Sequence, residues 1–461
     1  MKKRICSFLA AIALIACLLP LPAAAEYAGF RDVDPDDGFA LAVDWALKRG
    51  VTQGVTPDLF GPEDICTRGH VVTFLWRAKG MPEPKMALEK NPFEDVAPGS
   101  YYEKAVLWAV EQGITYGKSE TAFAPDTECN YGEIITFLWR ANGRPEPFFA
   151  SPMTEDWPDT YYYKDAVTWG DNTAMFEDLG GEFDPTLPCT RATTVSWLYR
   201  DAVTYVSDVE HLIQAIGSGR EIYVDPGTYN LEEWADTVGS GDYNDTIRLE
   251  YVGDGYEVQI RGVSNMSIQA SRPSSGTAEI VTEPRYANVL AFYDCDEIYL
   301  DGLTVGHTPE QGVCSGGVLL FEDCGRIAMS NMDLYGCGTY GISAYNVESI
   351  QTVDTIIHDC TYGLLDAYNV ESIGFADSLF CDCEGYTMLD ARSSNLYFQN
   401  CAFQNLSWGD YSSFISNDEY SYVYFGGCGF DLAAYRGVIN HARFNVSVFC
   451  EEAQLLDAPK G

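Results

Sequence analysis

The chain has 461 residues, 46% of them hydrophobic and 13% aromatic, enough apolar surface to build packed cores and to rule out wholesale disorder. At ~150 residues per domain that length suggests about three domains and excludes a single small fold. Asp and Glu number 68 against 28 Lys and Arg, a net charge of −40 that argues against a broad nucleic-acid face and favours solubility and cation binding.

The first predicted element is a leader over residues 1–25. Lys2 to Arg4 are basic, Phe8 to Leu19 apolar, and Ala23-Ala24-Ala25 small, the pattern of an export signal cut before Glu26. Leu14-Ile15-Ala16-Cys17 has the shape of a lipidation box, but Leu18-Leu19-Pro20-Leu21 stays apolar where a polar tether belongs. No later stretch approaches the ~20 apolar residues of a membrane span, and the tail Asp457 to Gly461 has no wall-sorting pattern. A secreted protein is expected, with surface retention left to a folded domain.

Three repeats follow. Phe30-Arg31-Asp32-Val33 returns as Phe93-Glu94-Asp95-Val96 and weakly as Trp157-Pro158-Asp159-Thr160. Within each unit come Ala42-Val43-Asp44-Trp45, Ala105-Val106-Leu107-Trp108 and Ala166-Val167-Thr168-Trp169, then Phe60, Phe123 and Phe183, then Cys66, Cys129 and Cys189. Each unit reads as two helices. The second is predicted to start at the N-caps Thr67, Asn130 and Thr190, with Glu133 completing a capping box, and to stop at Gly80 before Pro82 and at Gly143 before Pro145.

This order of motifs, with Gly50-Val51-Thr52-Gln53-Gly54 and Cys66-Thr67-Arg68-Gly69, resembles the S-layer homology repeat. The resemblance implies an all-α unit of three repeats at 26–91, 92–153 and 154–203, the third degenerate, folded as a pseudo-threefold prism. It also implies noncovalent attachment to a pyruvylated secondary polymer of a Gram-positive-type cell wall. Carried onto this sequence, it gives Arg68 and Arg191 as ligands of the polymer's acid group, with Trp45, Trp108, Gly54 and Gly117 lining grooves. The second repeat reads Asn130-Tyr131-Gly132-Glu133 and lacks the arginine, while the third reads Ala174-Met175-Phe176-Glu177 and lacks the paired glycines. One or two working grooves are expected. Arg68 and Arg191 each fall in the first turn of a helix, where a cation opposes the dipole. An external anion, helped by the first-turn amides, or a neighbouring carboxylate must therefore compensate them. The remaining tryptophans have the spacing of core residues.

Past Ala202 short β-branched and aromatic runs alternate with Gly, Asn, Asp and Ser. Val206 to Ile216 reads as a short capping helix, followed by strand Ile222-Tyr223-Val224 and turn Asp225-Pro226-Gly227. Ala344 to Ile350 recurs verbatim as Ala367 to Ile373, and Cys314, Cys337, Cys360 and Cys383 are evenly spaced with the same period. A constant period of ~23 residues with no helix between strands predicts a solenoid in which like residues stack ~4.8 Å apart. Residues 204–461 resemble the right-handed parallel β-helix of the pectin-lyase type, so the fold class is multidomain, all-α followed by all-β. The cysteines read as an inward ladder of small side chains, with paired disulfides the alternative.

Aligning the coils through Tyr345 and Tyr368 sets Ser343, Asp366, Asp390, Ser416 and Asn440 in one row. The stacked Asp366 and Asp390 suit a retaining glycosidase pair, shared calcium, or a solvated polar ladder. Glu348 and Glu371 also stack, and like charges on neighbouring strands call for water or a cation between them, so calcium is the one cofactor suggested. Gly306 to Cys314 is expected to lengthen one coil into a loop carrying His307 beside Glu310, a candidate acid–base pair. His358 and His441 show no convincing partners. The chain as a whole reads as a wall-attached surface protein whose β-helix binds or adheres to an exogenous glycan. The alternative is a polysaccharide lyase or glycoside hydrolase using Asp366, Asp390 and His307.

Overall fold

The computed structural model describes residues 29–85, 91–145, 150–173, 175–176, 183–271, 276–308, 315–336, 339–409, 412–431, 433–438, 448–451 and 454–456. The leader motifs, the tail, Glu310, Cys314, Cys337, Asn440 and His441 lie outside them. The chain divides between Thr204 and Tyr205 into two compact units. No helix among the described residues is long and apolar enough to cross a membrane.

The first unit carries three helix pairs: α1 (Ala40–Lys48) with α2 (Arg68–Ala78), α3 (Glu103–Glu111) with α4 (Tyr131–Ala141), and α5 (Lys164–Asn172) with α6 (Arg191–Ala202). Each second helix starts at its predicted cap. Thr67, Asn130 and Thr190 lie in extended backbone and accept the amide three residues on, and Asn130 with Glu133 closes a capping box. After α2 and α4, Gly80 and Gly143 take φ of +85° and +77°, a left-handed turn that ends the helix.

The repeats close into a ring. Each first helix packs on the second helix of the repeat before it: α3 on α2, α5 on α4, and α1 on α6. A triangle of backbone hydrogen bonds ties the three together: Cys66 N to Cys189 O at 2.9 Å, Cys129 N to Cys66 O at 2.9 Å, and Cys189 N to Cys129 O at 2.8 Å. This is the pseudo-threefold arrangement that the resemblance to the S-layer homology repeat implies. The Phe-x-Asp-Val motif has a local task. Asp32 accepts from the amides of Phe60 (2.8 Å) and Gly61 (2.7 Å), and Asp95 accepts from those of Phe123 (2.8 Å) and Ala124 (2.7 Å). The motif therefore pins the loop that delivers a buried phenylalanine to the core. In the third repeat Asp159 is exposed and bonds Lys164 instead.

The second unit is a parallel β-solenoid. Its strands stack into three sheets of ten, nine and nine, each coil adding one strand to each sheet. Gly241–Asp242, Ile247–Tyr251 and Tyr256–Arg261 pair antiparallel in turn, and Tyr256–Arg261 then pairs parallel with Leu290–Tyr293. The verbatim repeat fixes the register, with Tyr345 opposite Tyr368 and Ile350 opposite Ile373. Helix α7 (Val209–Ala215) falls within the predicted capping helix, and together with α8 (Leu231–Val238) it buries Leu212, Ile213, Leu231 and Trp234 in the solenoid core.

Inside the coils, identical side chains stack. Phe375, Phe398 and Phe425 have ring centroids 5.4 and 5.0 Å apart, and Phe380, Phe403 and Phe430 have centroids 4.8 and 5.1 Å apart. Cys360 and Cys383 share this interior, the Cys360 amide donating to Cys383 Sγ at 3.3 Å, and every described cysteine is a free thiol. At the corners, Asn346 and Asn369 both take φ of +55°, a conformation asparagine tolerates better than most residues. Their amides form a ladder, Asn369 Nδ2 to Asn346 Oδ1 and Asn346 Nδ2 to Asp323 Oδ1, both at 2.9 Å.

Candidate functional site

The start of each second helix in the first unit is engaged by the next repeat. The amides of Arg68 and Gly69 donate to Thr127 O and Pro125 O, those of Tyr131 and Gly132 to Leu187 O and Pro185 O, and those of Arg191 and Ala192 to Asp64 O and Pro62 O. The expectation that first-turn amides contribute to an anion site is corrected: they already satisfy carbonyls across the ring, so an anion there must be met by side chains. The first-turn side chains reach across in the same direction and form three related grooves with different chemistry.

In one groove Arg68, 3% exposed, is held by Phe123 O (3.0 Å) and by Glu133 Oε1 (3.0 Å), with the Phe123 and Phe137 rings on its guanidinium. Lys118 also bonds Glu133. In the next groove Tyr131 replaces arginine and packs on Phe183 and Trp197. In the last, Arg191 donates to Phe60 O (2.8 Å) and Thr52 Oγ1 (2.9 Å) between the Phe60 and Phe74 rings. It is 6% exposed, and no carboxylate lies within ion-pair distance of it among the described residues. The place of Glu133 is taken there by His70, whose proton affinity is lowered first by burial and then by Arg191. Burial lowers the proton affinity of Arg191 as well.

Trp45 and Trp108 are 7% and 6% exposed and belong to the core of the helical unit, Trp45 meeting Tyr199 edge-on at 5.8 Å. Gly54 and Gly117 have φ of +82° and +77°, and an added Cβ would lie 2.6 Å from Leu59 O and 2.5 Å from Phe93 Cε1. Their absent side chains are thus a requirement of the loop fold itself. Sequence reasoning missed Glu133 and Lys118 as partners of this region, because the contact with Arg68 crosses repeats.

On the solenoid, the third sheet presents two outward rows. One runs Gln259, Ala291, Leu320, Ser343, Asp366, Asp390, Ser416, and the other runs Arg261, Tyr293, Glu322, Tyr345, Tyr368, Arg392. The alignment of Ser343, Asp366, Asp390 and Ser416 is the one read from the sequence. Asp366 accepts from Tyr345 Oη at 2.6 Å through Oδ2 and from Arg392 Nη2 at 2.7 Å through Oδ1. Asp390 Oδ2 stands 3.8 Å from Arg392 Nε, and its buried Oδ1 has no hydrogen-bond partner. Burial raises the Asp390 pKa, and the charge of Asp366 adds to that against the pull of Arg392.

The histidines differ from expectation. His307 is not on an exposed loop. It ends strand Leu303–His307, is 2% exposed, donates through Nε2 to Ala287 O at 3.0 Å, and leaves Nδ1 unpartnered among the described residues. The strand pairing with Ala278–Thr282 continues through His307 opposite Thr282 and holds it inward. His358, thought unpartnered, lies between Asp333 Oδ1 (3.0 Å) and Asp359 Oδ2 (2.5 Å). Glu348 and Glu371 line an open cavity of about 360 Å³ with Asn346, Asn369, Ser393 and Asn395. The Asn346 carbonyl there is already taken by the corner ladder. No group of three or more His, Cys, Asp or Glu among the described residues is arranged to hold a metal.

Residues 29–72 and 92–135 match the S-layer homology domain. A cell surface protein of Thermoanaerobacter kivui is 30% identical over 137 residues, covering 29% of this chain and 17% of that protein. A middle cell wall protein of Brevibacillus brevis is 28% identical over 148 residues, covering 31% and 14%, and a surface layer protein of Brevibacillus choshinensis is 28% identical over 148 residues, covering 31% and 13%. The match thus spans less than a fifth of each relative's length. Among solved structures, a lacto-N-biosidase of Eubacterium ramulus covers 90% of this chain and 96% of that chain at 9% identity and a TM-score of 0.28, a similarity too low to bear on activity. With its ring of repeats and its surface-protein relatives, the helical unit is an S-layer homology region, and the chain is a multidomain protein of the cell surface or cell wall.

Proposed function

We propose that the leader exports the chain, that the helical unit binds the acid group of a pyruvylated secondary polymer in a Gram-positive-type wall, and that the third-sheet face of the solenoid binds a second glycan. The observation that carries the first binding step is Arg191. A buried guanidinium with no carboxylate in ion-pair contact, Asp64 and Asp32 acting on it only at longer range, is stabilised when an anion joins it, and the aromatic sandwich and Thr52 hold it in one orientation. The Arg68 groove already contains its anion, and the Tyr131 groove has no cation in that position, so one groove does the work.

Cosedimentation of the whole chain with purified cell walls tests this. Wild-type protein and Arg68→Ala sediment, whereas Arg191→Ala stays in the supernatant and walls stripped of their ketal-linked acids no longer bind. Equal sedimentation of wild type and Arg191→Ala would refute the assignment.

The glycan face is supported by its length and composition. Seven in-register positions at ~4.8 Å spacing span roughly 30 Å, and Tyr368 and Tyr386, 49% and 58% exposed, offer ring faces with a polar edge. Retention of the chain on a carbohydrate array, lost in Tyr368→Ala with Tyr386→Ala, is the expected result; no retention on any neutral glycan would refute it.

A further inference from the structure

We infer that the third-sheet face of the solenoid is a retaining glycoside hydrolase centre for neutral glycans, with Asp366 the nucleophile and Asp390 the acid–base. This rests on that face being the glycan surface proposed above and adds the chemistry it performs. Asp366 and Asp390 are register partners on adjacent parallel strands, so their backbones are ~4.8 Å apart. Retaining enzymes separate their two carboxyl groups by ~5–5.5 Å, inverting ones by ~6.5–9.5 Å, and side chains projecting from neighbouring strands on one face suit the shorter range.

The two carboxyls are not interchangeable. Both oxygens of Asp366 receive strong donors, a guanidinium at 2.7 Å and a phenol at 2.6 Å, which fix its orientation. Asp390 receives neither donor. Its Oδ1 is enclosed and unpartnered, and Arg392 stands off at 3.8 Å from the other oxygen. Burial raises its pKa against the opposing pull of Arg392, and the neighbouring Asp366 adds to the effect of burial. One carboxyl is thus oriented by two donors while its neighbour keeps a buried, unpartnered oxygen, the asymmetry of environment that double displacement needs.

In the first step an Asp366 oxygen forms a bond to the anomeric carbon while the glycosidic C–O bond breaks, and Asp390 gives its proton to the departing oxygen. In the second, the Asp390 carboxylate takes a proton from water. The water oxygen bonds to the anomeric carbon, the ester bond to Asp366 breaks, and both residues return to their starting states. No co-reactant other than water is consumed. The substrate class follows from charge. Besides the pair itself, Glu257 and Glu322 lie along the same face, while Arg392 is engaged by Asp366 and Arg261 by Gln259 and the Tyr293 ring. A uronate would meet carboxylates with no spare cation on this face among the described residues, so neutral sugars are accepted and β-elimination of uronides is not supported. Tyr368, opposite Arg392, and Tyr386, stacked on Tyr362, are exposed and provide ring faces for the sugars of the substrate.

The full chain is incubated with neutral p-nitrophenyl glycosides and neutral oligosaccharides. At least one is expected to be hydrolysed with retained anomeric configuration by NMR. A 2-deoxy-2-fluoro analogue of the cleaved sugar is expected to label Asp366, seen by peptide mass spectrometry of the native chain, so that result does not depend on a variant folding. Asp390→Asn should slow oligosaccharide hydrolysis about 10²–10⁴-fold but aryl glycosides with good leaving groups far less, a split that a merely structural residue would not produce. Inverted product, labelling at another residue, or release of unsaturated uronides overturns the inference. Retention on the carbohydrate array without cleavage of any substrate overturns it as well, while leaving the binding proposal standing.

Discussion

Arg68 and Glu133 meet across two repeats at 3.0 Å, with side chains 3% and 5% exposed. The arginine at the same helical position in the third repeat, Arg191, has no such partner, so two grooves of one architecture differ by a single internal anion. Removing one half of a buried pair strands the other. Arg68→Ala is therefore expected to lower the unfolding free energy by about 3–5 kcal/mol, read from urea denaturation, because Glu133 keeps only the capping amide of Asn130 and the half-exposed Lys118. Glu133→Gln preserves shape and should cost less. By releasing Arg68 it should also raise the wall-binding stoichiometry of the chain, whereas an unchanged stoichiometry would show that the groove is blocked by shape.

That pair also marks the limit of what the primary structure discloses. The helix caps at Thr67, Asn130 and Thr190 were legible because they depend on residues within one turn. The row Ser343, Asp366, Asp390 and Ser416 was legible because a verbatim repeat leaves no freedom in register. Arg68 and Glu133 are 65 positions apart and join because the ring hands each first-turn side chain to the following repeat. His307 misled for a related reason: Gly306-His307 reads as the mouth of a loop, yet the ladder with Ala278–Thr282 carries the strand two residues further and turns the ring inward. Arg392 could have been found, since the coil period sets it opposite Tyr368.

His358 predicts a loss of stability in alkali. Its hydrogen bond to Asp333, with Asp359 assisting, pushes its pKa up to about 9 against the effect of burial. An unfolded histidine titrates near 6.5. The folded state thus binds the proton more tightly, and the contribution is complete below pH ~6.5 and disappears as the pH rises through about 9. Denaturant midpoints measured from pH 6 to 10 should fall over this window for the wild type and change less for His358→Asn. Parallel profiles would mean that the two aspartates do not hold the imidazolium.

Phe398 sits between Phe375 and Phe425 in one stack and meets Phe380 and Phe403 edge-on. It is fully buried, so Phe398→Ala is expected to cost about 3–5 kcal/mol, while Phe398→Leu, which refills most of the volume, should cost markedly less. Chemical denaturation of the full chain, followed by the signal of the β unit, separates the two.

Asn369 tests why the solenoid turns where it does. It adopts φ of +55° and donates its amide to Asn346 at 2.9 Å, so two effects act at one position. Alanine loses the hydrogen bond and also meets the steric penalty of left-handed backbone, about 1–2 kcal/mol. Glycine loses the same hydrogen bond but not that penalty, although it adds freedom to the unfolded chain. If backbone conformation dominates, Asn369→Gly will lie close to wild type in thermal midpoint and Asn369→Ala well below it. If the amide ladder dominates, both variants will fall together and Asn346→Ala, which breaks two rungs, will fall further.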